Sequence, residues 1–467
     1  MTTLADPTPG GRPGDVERAG ALAEELTARE VHGVVLAYVD TAGVHRVKAV
    51  PTAKLPSAAA WGVGMSPVFD TFLANDHIVT TDVLGSPDGD LRLYPDLDLL
   101  TVLAAQPGWA WAPVDRITQD GAPHPGCSRT ALRRIEERAA LAHGLTFRAA
   151  IEIEWTLGLD TAPPGEFVPV TTAPAYGATR QVELGAFLAD LLEACAAQEL
   201  DVDQVHPEYA AGQFEISVGA ADPVAAADRS VLTRQTIRAV AGQHGLRVSF
   251  APAVAATGVG NGGHVHLSAW RDGRNLHTGG DRRHGLTPDA ESFTAGVLAR
   301  LPALMAVTAP SPASYLRLQP SQWAGVFTAW GLETRETALR LVPGTKGHRA
   351  EQANLEVKPV DLAANPYAAL TCLIAAGLDG LAGKRSLPQE TKGDPAGLDA
   401  RDAASREVRR LPAGLSEAIA EFREDEVLRA ALGPVLADAV TAVREGELAA
   451  VQGLDDEQVA AFYRWVY

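Results

Sequence analysis

The chain has 467 residues, 46% of them hydrophobic and 21% charged, which suits a folded protein with more than one core. Its 40 basic residues stand against 58 acidic ones, for a formal charge of −18; non-specific nucleic-acid or anionic-membrane binding needs a basic patch and is not expected. Three cysteines (Cys127, Cys195, Cys372) without a C-x-x-C pair argue against a disulfide framework and for a reducing, cytoplasmic setting.

The Pro/Gly-rich residues 1–15 lack the basic start and apolar core of a signal peptide and read as a disordered tail. Helical spacing follows over 16–30. "VHGVVLAYVDTAGVHRVKAVP" then reads as two strands joined by a turn at Asp40–Gly43. Strand-like pieces continue to about residue 105. The amphipathic stretch 126–144 reads as a helix opening a second domain, so the expected division is 16–115 and 116–467. Beyond it come a strand at "IEIEW", a helix at 183–199, the segment "DQVHPEYAAGQFEISVG", a helix at 222–244 and a mainly helical end after 375. No apolar run reaches 18 residues, so no transmembrane helix is expected. The fold class expected is α+β: a small domain, then a large one with a mainly antiparallel sheet.

In "IEIEW", Ile151, Ile153 and Trp155 alternate with Glu152 and Glu154. A strand there is apolar on one face and carries two carboxylates about 7 Å apart on the other. "HPEYAAGQFEIS" adds Glu208 and Glu215, and "GVGNGGHVHLS" adds His264 and His266 after four glycines that let backbone approach a ligand closely. "NLEVKP" sets Glu356 and Lys358 on one strand face, and Arg317, Arg335 and Arg340 lie between the last two segments. Each stretch alone has an ordinary structural reading. Together they make an odd inventory for apolar, Gly-flanked strands, because buried charge is costly unless paired or metal-bound. Carboxylates with an imidazole suit Mg²⁺ or Mn²⁺, and two cations facing phosphates with arginines around them suit phosphoryl transfer.

In order along the chain these motifs resemble the glutamine synthetase family: "IEIEW", "HPEYAAGQFEI", "GNGGHVHLS", "SYLRLQP", "RETALR" and "NLEVKPVDLAANPY". The resemblance implies an N-terminal β-grasp domain, a catalytic domain with a curved antiparallel sheet, and a dodecamer with active sites between subunits. It implies one metal at Glu154, Glu208 and Glu215, and a second at Glu152, His264 and Glu356. Glutamate would be bound by Glu154, Gly260, Arg317 and Lys358, and ATP, the co-substrate, by His266, Ser268, Arg335 and Arg340. The implied chemistry activates the γ-carboxylate of glutamate as an acyl phosphate, which an amine then attacks.

The departures bear on the amine. Where glutamine synthetases carry a flap Glu six residues after the Arg matched by Arg317, this chain has Trp323. An indole can exclude water but cannot accept a proton or attract ammonium. The family's F-D-G-S-S stretch becomes "VFDTFLAND", keeping Asp70 but not the Gly-Ser-Ser, and Asn354 and Lys358 replace two arginines. The expectation is a ligase joining glutamate to a small organic amine. Asp70, contributed by a neighbouring subunit, Glu208 and Arg335 are the expected catalytic groups, and Asp70, Tyr176 and Trp323 line the expected amine pocket. Ethanolamine is favoured over a polyamine, whose second cationic end would want an extra carboxylate at an otherwise apolar mouth. Ammonia, as in a true glutamine synthetase, and a non-catalytic paralogue are the alternatives.

Overall fold

The computed structural model describes residue 12 and residues 14–163 and 165–467. Of the expected 15-residue tail, residues 1–11 and 13 lie outside the described residues; Arg12 pairs with Asp98 at 2.7 Å and Asp15 begins the first helix.

The N-terminal sheet runs in the order His45–Pro51, Gly33–Val39, Trp109–Thr118, Leu91–Pro95, Val63–Met65, with Thr101–Val102 added on Trp109–Thr118. Period-two alternation decides what each face meets. Val34, Leu36 and Tyr38 pack with Ala19, Ala23, Leu26, Leu55 and Ala59 of the helices Asp15–Ala28 and Leu55–Trp61. Ala37, Val39 and Trp111 belong instead to the main core. This is the β-grasp arrangement. Its longest strand, Trp109–Thr118, lies beyond the point where the sequence reading ended the strands. Pro113 in "WAWAPVDRIT" argues against a central strand, yet its carbonyl accepts from the Asp96 N–H at 2.9 Å.

The large domain holds two curved sheets. A four-stranded one runs Leu246–Ser249, Ile153–Leu159, Gln213–Val218, Val202–Pro207. The other runs Arg274–Asn275, Val265–Arg271, Asn354–Val357, Leu339–Val342, Trp330–Leu332, with Thr146–Ile151 also pairing on Val265–Arg271. Residues 146–159 pass through both sheets, and Glu152 is the joint. Its N–H donates to the His264 carbonyl at 3.0 Å, and the Glu154 N–H donates to that of Gly262 at 3.4 Å. The acidic segment 151–155 is therefore stitched to the Gly-rich one at the seam.

Helices pack behind the sheets. One of them, Pro288–Thr308, is long and apolar enough to cross a membrane by length and composition, but 72% of its window is buried inside the fold. It crosses Pro366–Ala382 so closely that a Cβ on Gly296 would lie 2.6 Å from the Gly380 Cα. The two domains are locked together by polar contacts. The Asn365 amide donates to the carbonyls of Val39 and Asp40, and Arg129 bridges Asp96, Asp115 and Asp228.

Candidate active site

Sheet register brings the chemistry to one cavity. In the four-stranded sheet Glu215 stands opposite Glu154 on one neighbour and His206 on the other. In the larger sheet Glu356 stands opposite His266 on one side and Arg340 on the other. Residues directly opposite share a face, so each sheet presents a row of three polar side chains. The cavity between them has a volume of about 960 Å³. It is lined by Glu152, Glu154, Glu208, Glu215, His264, Glu356, Gly260, Arg317, Arg335, Arg340, Lys358, Tyr176 and Trp323, all singled out from sequence, and by His206, Gln204 and Tyr209, which were not.

Two triplets offer donor atoms within 4.8 Å of one another: Glu152, His264 and Glu356, and His206, Glu208 and Glu215. The first is the set expected from sequence. In the second His206 takes the place expected for Glu154. That carboxylate is turned aside: its Oε2 accepts from the Gly262 N–H at 2.7 Å and from Gln213 Nε2 at 3.1 Å. Gly262 cannot be another residue without moving this corner, since its Cβ would lie 2.8 Å from Glu154 Oε1 and 2.7 Å from His264 Nε2.

The charges are tightly opposed. Burial disfavours ionised Glu152, but His266 and His264 outweigh it and hold its pKa well below the usual value. Glu356, also buried, is brought down to about 2, chiefly by Lys358 at 3.0 Å, with Arg340 2.8 Å from its other oxygen. Glu208 and Glu215 go the other way: burial raises both, and the Glu154 charge adds to it. The hydrogen bond to Glu215 raises His206 to about 9.

Several expected roles meet different surroundings. Asp70, expected at the site of a neighbouring subunit, does not line the cavity of its own chain. It is fully buried there, with one oxygen paired to Arg116 and the other 2.7 Å from His124. Ser268 is buried outside the cavity lining, its hydroxyl accepting from the Trp270 indole at 2.8 Å. His266 lies one layer back, bonded to Glu152 and Asn354 at 2.9 Å each. Lys358 spends its ammonium on Glu356, while its carbonyl and that of Val360 hold Arg317 at 3.3 and 3.2 Å. Arg335 is exposed and stacks 5.8 Å from the Trp323 ring centre.

A model of the glutamine synthetase catalytic domain matches residues 125–461. The chain belongs to the glutamine synthetase family. Within it, the chain is 73% identical to Gamma-glutamylpolyamine synthetase GlnA3 of Streptomyces coelicolor over 463 residues, 99% of either protein. It is 30% identical to the glutamate–methylamine ligase of Methyloversatilis universalis over 76% of this chain and 79% of that one. Among solved structures, one described as a novel glutamine synthase homolog superposes with a TM-score of 0.82 at 35% identity, covering 94% of this chain and 99% of its own. Like these glutamine synthetase relatives, the protein is a carbon–nitrogen ligase that uses ATP to join glutamate to an amine.

Family members work with divalent metals, and the two triplets fit them. Four carboxylates and two imidazoles converge, His206, Glu215 and Glu356 from strands and Glu152, Glu208 and His264 from positions just beside strands; this is a hard, mixed O/N donor set of the kind Mg²⁺ and above all Mn²⁺ accept.

Proposed function

We propose that this ligase glutamylates a polyamine, acting as a γ-glutamylpolyamine synthetase. The observation that carries the reading is the 73% identity over essentially the whole of both chains with a protein of that name. The site supports it from the other side: Trp323 lines the cavity where a carboxylate would be needed to attract ammonium. The lack of a second carboxylate at the mouth favours ethanolamine. That preference weakens once rings as well as carboxylates are counted as partners for a cation.

In this reading Arg335 and Arg340 face the γ-phosphoryl group as it passes from ATP to the γ-carboxylate of glutamate. Arg317, fixed from behind by two carbonyls, offers its remaining N–H groups to the α-carboxylate. Divalent cations at the two triplets would supply charge neutralisation on the phosphate and carboxylate oxygens. The amine nitrogen then attacks the acyl carbon, the C–N bond forms and the C–O bond to phosphate breaks. Tyr176, whose hydroxyl donates to Glu208 at 2.8 Å, orients the nitrogen, and the proton of the attacking nitrogen passes to Glu208, the carboxylate held beside it. Trp323 keeps water from the acyl phosphate.

The test is phosphate release with ATP, Mg²⁺ and glutamate against ammonia, ethanolamine, diaminoalkanes and spermidine. A polyamine should give the highest kcat/KM. Ammonia or ethanolamine exceeding every polyamine would defeat the reading.

A further inference from the structure

Among the described residues, the exposed Trp, Tyr and Phe side chains are Trp109, Tyr176, Tyr209 and Trp323, at 40, 50, 58 and 53%. The last three all line the same cavity. Exposed rings that converge on a concave site have a use there, since scattered single ones need no explanation but a cluster does.

These rings are also held in place at some expense. Tyr176 and Trp323 have φ of 54° and 55°, a left-handed region that bulky side chains rarely adopt and that clusters at functional sites. Tyr176 is tied through its hydroxyl to Glu208 at 2.8 Å, and the Tyr209 N–H donates to the same Glu208 oxygen at 3.0 Å. The Trp323 N–H donates to Glu336 at 3.0 Å. Trp323 already carries a cation, the Arg335 guanidinium, near its ring.

We propose that Tyr176, Tyr209 and Trp323 form the wall that selects the acceptor, Tyr176 beside the attacking nitrogen and Tyr209 and Trp323 binding the methylene chain and far ammonium group of a long diamine on their ring faces. The proposal rests on the polyamine reading and adds how length is recognised. The carboxylates of the cavity floor already have partners: Glu356 pairs with Arg340 and Lys358, Glu154 accepts from Gly262 and Gln213, and Glu208 accepts from the Tyr176 hydroxyl and the Tyr209 N–H, which leaves the rings to serve the far end of the acceptor. Ring faces attract an alkylammonium by cation–π interaction and also gain from each methylene they cover. Ammonia offers no methylene to gain from. A wall of rings therefore discriminates by length, at about fourfold per buried methylene, where a single carboxylate would discriminate by charge alone. Glu336 is a positioning residue for Trp323.

The experiment uses the full-length protein with diaminoalkanes of three to eight carbons and spermidine as acceptors. It compares wild type with Tyr209→Ala, Tyr209→Phe, Trp323→Ala and Trp323→Phe, alongside melting curves and KM for glutamate. The wild-type kcat/KM should climb with chain length. Each Ala variant should flatten that climb and lose about five- to thirtyfold for the longest good acceptor, with glutamate KM within about twofold; each Phe variant should keep most of it. Ala variants with an unchanged length profile would overturn the wall, as would an equal loss for every acceptor with a raised glutamate KM. If wild type uses no diamine at all, the polyamine reading itself falls; if it uses diamines and the Ala variants keep the wild-type length profile, only the wall does.

Discussion

The Lys358 ammonium lies 3.0 Å from Glu356 Oε1, between two of the groups that sequence reasoning had assigned to separate ligands. With Arg340 on the other oxygen, it keeps a carboxylate that is 2% exposed fully ionised. It also sets a positive charge beside the first metal triplet. Lys358→Met removes that repulsion, so Mn²⁺ should bind about tenfold more tightly, as expected for one charge a few ångströms away at an effective dielectric of about 20 with partial screening. Titration calorimetry measures this, and weaker Mn²⁺ binding would contradict it.

Metal binding should expel a proton. His206 is held charged up to about pH 9 by Glu215, and a ring that shares a site with a divalent cation must be neutral. Because its pKa lies above the working pH, affinity should rise with pH, by about tenfold per unit between 7 and 9, and level off above. Calorimetry at pH 7.5 in two buffers of different ionisation enthalpy should report about one proton released at this triplet, and none in His206→Ala. A flat affinity from pH 7 to 9 would be the wrong sign.

The domain junction depends on Arg129, which is 4% exposed and pairs with Asp96 at 2.9 Å and with Asp115 and Asp228 at 2.8 Å. Tyr367 donates to the same Asp228 at 2.5 Å. Arg129→Met leaves buried carboxylates without their cation, a change that costs about 3–5 kcal/mol. Urea unfolding should show it as a clear fall in midpoint; a loss under about 1 kcal/mol would mean that the aspartates are solvated.

The Trp323 position should govern ammonia. Trp323→Glu places a carboxylate at the cavity where the family's ammonia-using members have one, so kcat/KM for ammonia should rise about fivefold or more while that for long diamines falls. Parallel losses with both acceptors would show that the residue acts only on the flap.

Much of this site was legible because strand periodicity is local. Glu152 and Glu154 share a face by alternation alone, and the Gly-rich run before His264 marked where another chain segment comes close. What could not be read is pairing between distant segments. Asp70 is taken by Arg116 and His124, 46 and 54 residues away, and nothing near "VFDTF" announces either partner. His206 was readable in part: it sits two residues before Glu208, hence on the same strand face, but its importance comes from the register that sets it opposite Glu215. The strand Trp109–Thr118 was hidden by a proline inside a central strand. The joint at Glu152 was hidden for another reason, since a strand that changes sheets looks continuous in sequence.

Anomalous diffraction from crystals grown with Mn²⁺ and ADP tests the centre of the account. Two peaks are predicted, one among Glu152, His264 and Glu356 and one among His206, Glu208 and Glu215. No peak at either triplet, with the carboxylates still paired to Lys358, Arg340 and His206, would contradict it.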